Sequence, residues 1–285
     1  MKYGVIDVGS NSVRLMISEN GKTLKKLIAT TRLAEGKEDG FLCEKSSLRT
    51  LKAIKEYAET AREYGADEIF AFATAAVRNS VNGADFASKA KEISGVKLDV
   101  VSGETEAALG LYGALKGKGG AVLDIGGGST EIGVVKDGKL VYSKSLPVGA
   151  VVLTQRFGQD CRKMTEYLKV VVKEYGAIPP ADFYCIGGTC TTLAAVAQKL
   201  TVYAPEKVDG YKLTAGEIAR LFGDIAALTV EERKSVAGIQ KERADIIHAG
   251  AAIFNAVAEY VGVPYFTVSE SDNLEGYLKY ITEKK

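Results

Sequence analysis

Hydrophobic residues in this 285-residue chain fall into short runs with two different periods. Val5, Ile6 and Val8 form one run and Val13, Leu15 and Ile17 another, with Gly9-Ser10-Asn11-Ser12 between them. VIDVGSNSVRLMISENGK therefore reads as strand, tight turn, strand, and a second turn at Asn20-Gly21 of the kind that closes a hairpin. From about Thr31 to Cys43 the chain is polar and glycine-containing, a surface loop. Ser46 or Ser47 is expected to cap a helix with Leu48, Leu51, Ile54, Ala58 and Ala61 inward. EIFAFAT (Glu68 to Thr74) and KLDVVSG (Lys97 to Gly103) predict strands, the second followed by a helix from Glu104. CIGGTCTTLAAVA predicts a strand-to-helix turn, Leu213 to Val261 a mostly helical region, and YFTVS (Tyr265 to Ser269) a strand. A short last helix, Asn273 to Ile281, is expected to pack back on the first half. This alternation argues for a layered α/β architecture.

The pattern also repeats. Moved from Val5 onto Val122, the opening stretch faces VLDIGGGSTEIGVVKDGK without a gap. Asp7 meets Asp124, Gly9 meets Gly126, Ser12 meets Ser129, and Asn20-Gly21 meets Asp137-Gly138. Two copies imply duplication and two similar domains rather than a solenoid. The expected division is residues 1–116 plus 271–285 for the first domain and 117–270 for the second.

Glycines at hairpin tips let backbone N–H groups approach phosphate oxygens that a Cβ would hold off. Ser10, Asn11, Ser12, Ser129 and Thr130 add side-chain donors around Gly126, Gly127 and Gly128. The copies differ in one informative place: Arg14 in the first corresponds to Glu131 in the second. One loop presents a cation to an anionic group. The other carries Asp124 and Glu131, two acids suited to a hard ion such as Mg²⁺, with Asp7 as the matching acid of the first copy. Arg78 lies just past a strand, where ligands gather in open sheets. Gly188 and Thr189 open a helix whose free N–H groups suit an anion. Glu104 and Glu106 share a first helical turn, and composition does not choose between them. No GxxxxGK[ST] or GxGxxG occurs, which disfavours a P-loop or a dinucleotide fold.

A net charge of +1 argues against bulk binding to nucleic acid or membrane, so any anion site is local. No apolar stretch approaches a membrane span and no hydrophobic leader opens the chain, so a cytoplasmic protein is expected. Cys43, Cys161, Cys185 and Cys190 form no CxxC pair; free thiols are expected and zinc is poorly supported. The single histidine, His248, lies in an apolar helical pattern and reads as packing, which also disfavours a Ser–His–acid triad.

With DVGSNSVRL, ATAAVRNSVN, VSGETEAAL, DIGGGSTE, GGTCTTLAA and RADIIHAGAAI in order, the chain resembles the exopolyphosphatase/guanosine pentaphosphate phosphohydrolase family over nearly its whole length. The resemblance implies two ribonuclease-H-like domains of the actin-like ATPase superfold around a central cleft. It also implies release of a terminal phosphate to water with Mg²⁺. Glu106 matches the family's general base, Asp124 and Glu131 its magnesium-associated acids, and Arg78 and Arg14 its phosphate-holding cations. Three departures stand out. Thr105 replaces one acid of a glutamate pair, Asp272 and Leu274 stand where glycine and arginine are usual, and the helical domain of longer members is not in this sequence.

The leading expectation is a Mg²⁺-dependent phosphohydrolase acting on short-chain polyphosphate or a guanosine pentaphosphate-type nucleotide. The alternatives are a kinase or ATPase of the same superfold, and a non-catalytic polyphosphate or alarmone sensor. The expected partner is a small anionic substrate, and a homodimer is the ordinary oligomer.

Overall fold

Asn20 and Gly21 both have positive φ (50° and 78°), and Asp137 and Gly138 repeat that conformation (52° and 71°). Such a pair matches the right-handed twist of the strands it joins, so both turns close hairpins. The computed structural model describes residues 1–283 and is α/β, with two mixed sheets. Its backbone packing separates into two units, Met1–Leu109 with the C-terminal helix, and Gly110–Asp272.

In the first unit, β1 (Lys2–Val8), β2 (Ser12–Glu19) and β3 (Lys22–Thr30) form an antiparallel meander. Helix α1 (Glu44–Glu63) leads to β4 (Glu68–Ala73), and the short α2 (Ala75–Arg78) and α3 (Gly83–Ser94) lead to β5 (Leu98–Val100). Helix α4 (Gly103–Leu115) follows, its residues from Gly110 onward belonging to the second unit. The strand order is β3-β2-β1-β4-β5, with β4 parallel to β1 and β5 parallel to β4. Central β1 and β2 are buried on both faces, which explains their near-continuous apolar runs.

In the second unit, β6 (Gly120–Ile125), β7 (Thr130–Lys136) and β8 (Lys139–Leu146) repeat the meander. Then come α5 (Ala150–Phe157), α6 (Cys161–Val171), β9 (Phe183–Ile186), α7 (Gly187–Ala197), α8 (Pro205–Val208) and β10 (Lys212–Thr214). Helices α9 (Ala215–Ala226), α10 (Val230–Arg233) and α11 (Ile247–Val261) precede β11 (Tyr265–Val268), and α12 (Asn273–Glu283) ends the described chain. The order β10-β11-β9-β6-β7-β8 contains the first sheet's sequence of connections, with β10 added antiparallel at an edge.

The duplication extends to irregularities. A bulge falls at Ile17/Ser18 in β2 and at Val134/Val135 in β7, the same place in each copy. Gly9 N–H donates to the Ser12 carbonyl and Gly126 N–H to the Ser129 carbonyl, both at 3.0 Å. Behind the loops, Ala34 N–H reaches the Ser10 carbonyl, as Val151 N–H reaches that of Gly127.

Helix α12 completes the first unit's core: Leu274 and Tyr277 pack with Val5, Met16, Phe72, Val101 and Leu109. The Tyr277 ring stacks on Phe72 with centroids 4.5 Å apart, and its hydroxyl donates to Asp99 at 2.7 Å. Some local expectations need correction. α1 begins at Glu44 with Cys43 at the N-cap and no side-chain cap, because Ser46 Oγ instead donates to the Leu33 and Cys43 carbonyls. Leu48 is exposed rather than inward. Leu213 lies in strand β10, since its edge of the sheet supplies ladder partners in β11. Among the described residues, no helix is long and apolar enough to cross a membrane.

Candidate functional site

The first unit gathers Asp7, the Ser10–Ser12 turn, Arg14, Arg78 and Glu106. Strand register puts Asp7 opposite Arg14 across the β1–β2 ladder. Arg14 Nε donates to Asp7 Oδ2 at 2.9 Å and its terminal nitrogen makes a second, shorter contact with the same oxygen. Asp7 is nearly buried and Arg14 partly exposed, so the pair neutralises a carboxylate that would be costly alone. The turn itself is tied down: the Asn11 carbonyl accepts from Thr31 and Arg32 N–H, and Asn11 Nδ2 donates to Ser12 Oγ. Ser10 Oγ is buried without a partner inside the protein. A ligand oxygen at the tip would satisfy it.

Arg78 ends α2. Its guanidinium donates to Glu106 Oε2 at 2.7 Å and to the Val101 carbonyl at 3.0 Å. Ser102 caps α4 by accepting from Thr105 N–H at 3.1 Å, which places Glu106 in the first turn. Burial separates the two acids that composition left equal. Glu106 is 7% exposed and ion-paired, whereas Glu104 faces solvent. Thr105, in place of a second acid, bonds to Ser102.

In the second unit, the registered pair opposite one another is Asp124 and Glu131. Two acids directly across a ladder repel unless a cation or donors stand between them. Both are buried, at 8% and 1% exposure. Ser145 Oγ, opposite Glu131 on β8, donates to Glu131 Oε1 at 2.5 Å. Asp124 Oδ1 lies where a Cβ on Gly187 would stand, 2.7 Å away, and Gly187 has φ +85°. Only glycine starts α7 there, and the helix N-terminus faces the carboxylate.

The Gly126–Thr130 loop is braced from behind. Ala150 N–H donates to the Gly126 carbonyl, and Val151 and Val152 N–H to that of Gly127. A Cβ on Gly149 would lie 2.3–2.4 Å from Gly127 and Gly128 backbone atoms, so that approach requires glycine. Thr130 Oγ1 donates to the Val148 carbonyl at 2.5 Å, and the buried Tyr175 hydroxyl to the Thr130 carbonyl at 2.8 Å. Burial, with the Glu131 charge next, pushes the Tyr175 phenol well up, so it remains a donor. The Gly126 and Gly127 carbonyls are thus turned back to α5, and the Gly126 N–H closes the turn on the Ser129 carbonyl.

Thr189 is buried at the start of α7 against Gly250. Gly188 is covered by the Arg243 guanidinium, which a Cβ would meet at 1.9 Å. Arg243 went unnoticed in the sequence, although the RADIIHAGAAI segment contains it; only the fold places it against a loop some 55 positions earlier (243 − 188). Tyr203 donates to Glu270 beside this loop. His248 is fully buried, with Nε2 bonded to the Gly158 carbonyl at 3.0 Å, and Cys185 and Cys190 are core residues. Leu274, where a cation was the usual family residue, is buried in the first unit's core.

A divalent ion fits the donor chemistry of Asp124 and Glu131. Among the described residues no group of three or more His, Cys, Asp or Glu side chains forms a metal cluster, so its remaining ligands would be water and substrate oxygens.

The model of the Ppx/GppA phosphatase family matches residues 15–282. The bifunctional 3-dehydroquinate synthase/phosphatase of Fusobacterium nucleatum is 32% identical over 98% of this chain, which spans 46% of that relative's length. Exopolyphosphatase 2 of Mycobacterium tuberculosis is 29% identical over 96% of this chain and 97% of its own. The crystal structure of the Aquifex aeolicus Ppx/GppA family member superimposes with a TM-score of 0.82, at 32% identity, over 100% of this chain and 98% of that one.

Proposed function

This chain belongs to the Ppx/GppA phosphatase family and is a hydrolase, and we propose that it releases the terminal phosphate of short-chain polyphosphate or a guanosine pentaphosphate-type nucleotide with Mg²⁺. The observation that carries the reading is the divergence of the two hairpins at one registered pair. Asp7–Arg14 neutralises itself, whereas Asp124–Glu131 leaves two buried acids together. The exopolyphosphatase relative supports polyphosphate as the substrate class.

Glu106 accepts the proton of the attacking water. The water oxygen bonds to the terminal phosphorus while the bridging P–O bond breaks, and the leaving phosphate keeps the electron pair. Arg78, bonded to the same carboxylate, holds its orientation. In the first unit the Ser10–Ser12 turn carries donors suited to phosphoryl oxygens; in the second, the Gly126–Thr130 loop does, and Gly188 and Thr189 add a helix N-terminus. Mg²⁺, held by Asp124 and Glu131, would offset charge on the transferred group.

Glu106→Gln removes the base while keeping an acceptor for Arg78. Orthophosphate release from a graded polyphosphate series and from guanosine pentaphosphate is expected to fall roughly 10²–10⁴-fold in kcat. Unchanged kcat would refute the assignment of the base. Absence of turnover by the unaltered protein on every substrate would refute the reaction.

A further inference from the structure

We propose that Ser145 is a positioning residue for Glu131, holding that carboxylate beside Asp124 for the divalent cation. The inference rests on the acid-pair reading above and deepens it. Its starting point is the comparison of the two hairpins within one chain. Three consecutive strands present matched positions: Asp7, Arg14 and Ile28 in the first copy, Asp124, Glu131 and Ser145 in the second. Arg14 faces Asp7 on one side and Ile28, a half-exposed apolar residue, on the other. It takes its orientation from the salt bridge with Asp7. Glu131 has the opposite problem, because its neighbour on β6 is another acid and repels it.

An unconstrained Glu131 would turn its carboxylate away from Asp124 and lose the geometry that a small, octahedral ion demands. At 2.5 Å, the Ser145 hydroxyl fixes Oε1 from the β8 side. A hydroxyl bonded to a carboxylate has only its own rotor to satisfy, and the register of β7 and β8 delivers it without any loop movement. The residue preceding Glu131 is held separately, through Tyr175 and the Val148 carbonyl, so the peptide frame is rigid before the side chain is set. The substitutions Arg14/Glu131 and Ile28/Ser145 are thus one linked change. The copy with a cation on its second strand has an apolar neighbour on the third, and the copy with an acid there has a hydroxyl donor.

Ser143 supplies the matched control. It lies two residues earlier on β8, opposite Gly133, and its buried hydroxyl has no partner. Titration of the substrate-free protein with Mn²⁺, read by electron paramagnetic resonance, is compared for the parent, Ser145→Ala, Ser145→Thr and Ser143→Ala. Loss of an outer-shell hydrogen bond is expected to weaken Mn²⁺ binding at least about tenfold in Ser145→Ala. Ser145→Thr should recover most of it, and Ser143→Ala should match the parent. In phosphate-release assays the Mg²⁺ concentration for half-maximal rate should rise in the same order. Equal Mn²⁺ affinity in Ser145→Ala and parent overturns the proposal, as does equal weakening in Ser143→Ala, which would mark a packing effect. A parent that binds Mn²⁺ but hydrolyses no substrate would refute the function while leaving the Ser145 role measurable. A parent that binds no Mn²⁺ would end both the metal reading and this one.

Discussion

At the scale of single residues, His248 shows how burial sets a titration. Its ring is fully buried and bonded to the Gly158 carbonyl, and burial lowers its pKa from 6.5 to about 4. The folded value is depressed, so the unfolded chain takes up the proton first as pH falls. The group's contribution is complete above pH 6.5 and is lost as pH falls from 6.5 to about 4, up to about 3 kcal/mol. His248→Gln keeps a donor for Gly158 without a titrating ring. Its melting temperature is expected to depend less steeply on pH across that window than the parent's, measured by thermal denaturation at pH 7, 5.5 and 4. An equal slope would show that other groups carry the dependence. The same scale decides Glu106 over Glu104. Both were legible in VSGETEAAL as first-turn acids; the family resemblance points to Glu106, and burial with the Arg78 contact supplies the physical distinction.

At the scale of elements, the hairpins were legible in detail because a tight turn needs particular residues. Asn-Gly and Asp-Gly supply two positive φ values, and the strand period of two fixes which positions face each other. The alignment of the two copies matches Asp7 with Asp124 and Arg14 with Glu131; the ladder register of the fold then sets Asp7 opposite Arg14 and Asp124 opposite Glu131. The brace behind the second loop was less legible. Gly149 lies outside the repeated hairpin motif, yet α5 docks its first N–H groups on the Gly126 and Gly127 carbonyls only because no Cβ intervenes. Gly149→Ala is expected to cost more than about 2 kcal/mol in chemical denaturation, since backbone rather than a flexible side chain must move. Phosphate release should fall with it. An alanine variant with parental stability would show that the loop has room the geometry denies. Gly188→Ala is a contrasting case, because the obstructing atoms are the tip of Arg243. That variant is expected to fold with near-parental stability while displacing Arg243.

At the scale of the whole molecule, each unit has its own core, and the first is completed by residues from the far end of the chain. Tyr277→Ala removes a ring stacked on Phe72 and a hydroxyl bonded to Asp99. A loss of about 3–5 kcal/mol is expected in the first unit. Amide hydrogen exchange should show lost protection in β1, β2 and β4, with β6, β7 and β9 retaining theirs; equal loss in both units would contradict separate cores. The sequence by itself determined the duplicated hairpins, their matched positions in the two copies and the α/β alternation, because turn chemistry and side-chain period are local. It also carried the family, through six motifs in order. Tertiary structure alone decided which acid is buried, which glycines admit a neighbouring backbone or guanidinium, that Arg243 covers Gly188, and that Leu274 fills a core instead of leaving its place to a cation. Those outcomes depend on contacts between residues tens to hundreds of positions apart, and the local pattern of a chain holds no record of what will be folded against it.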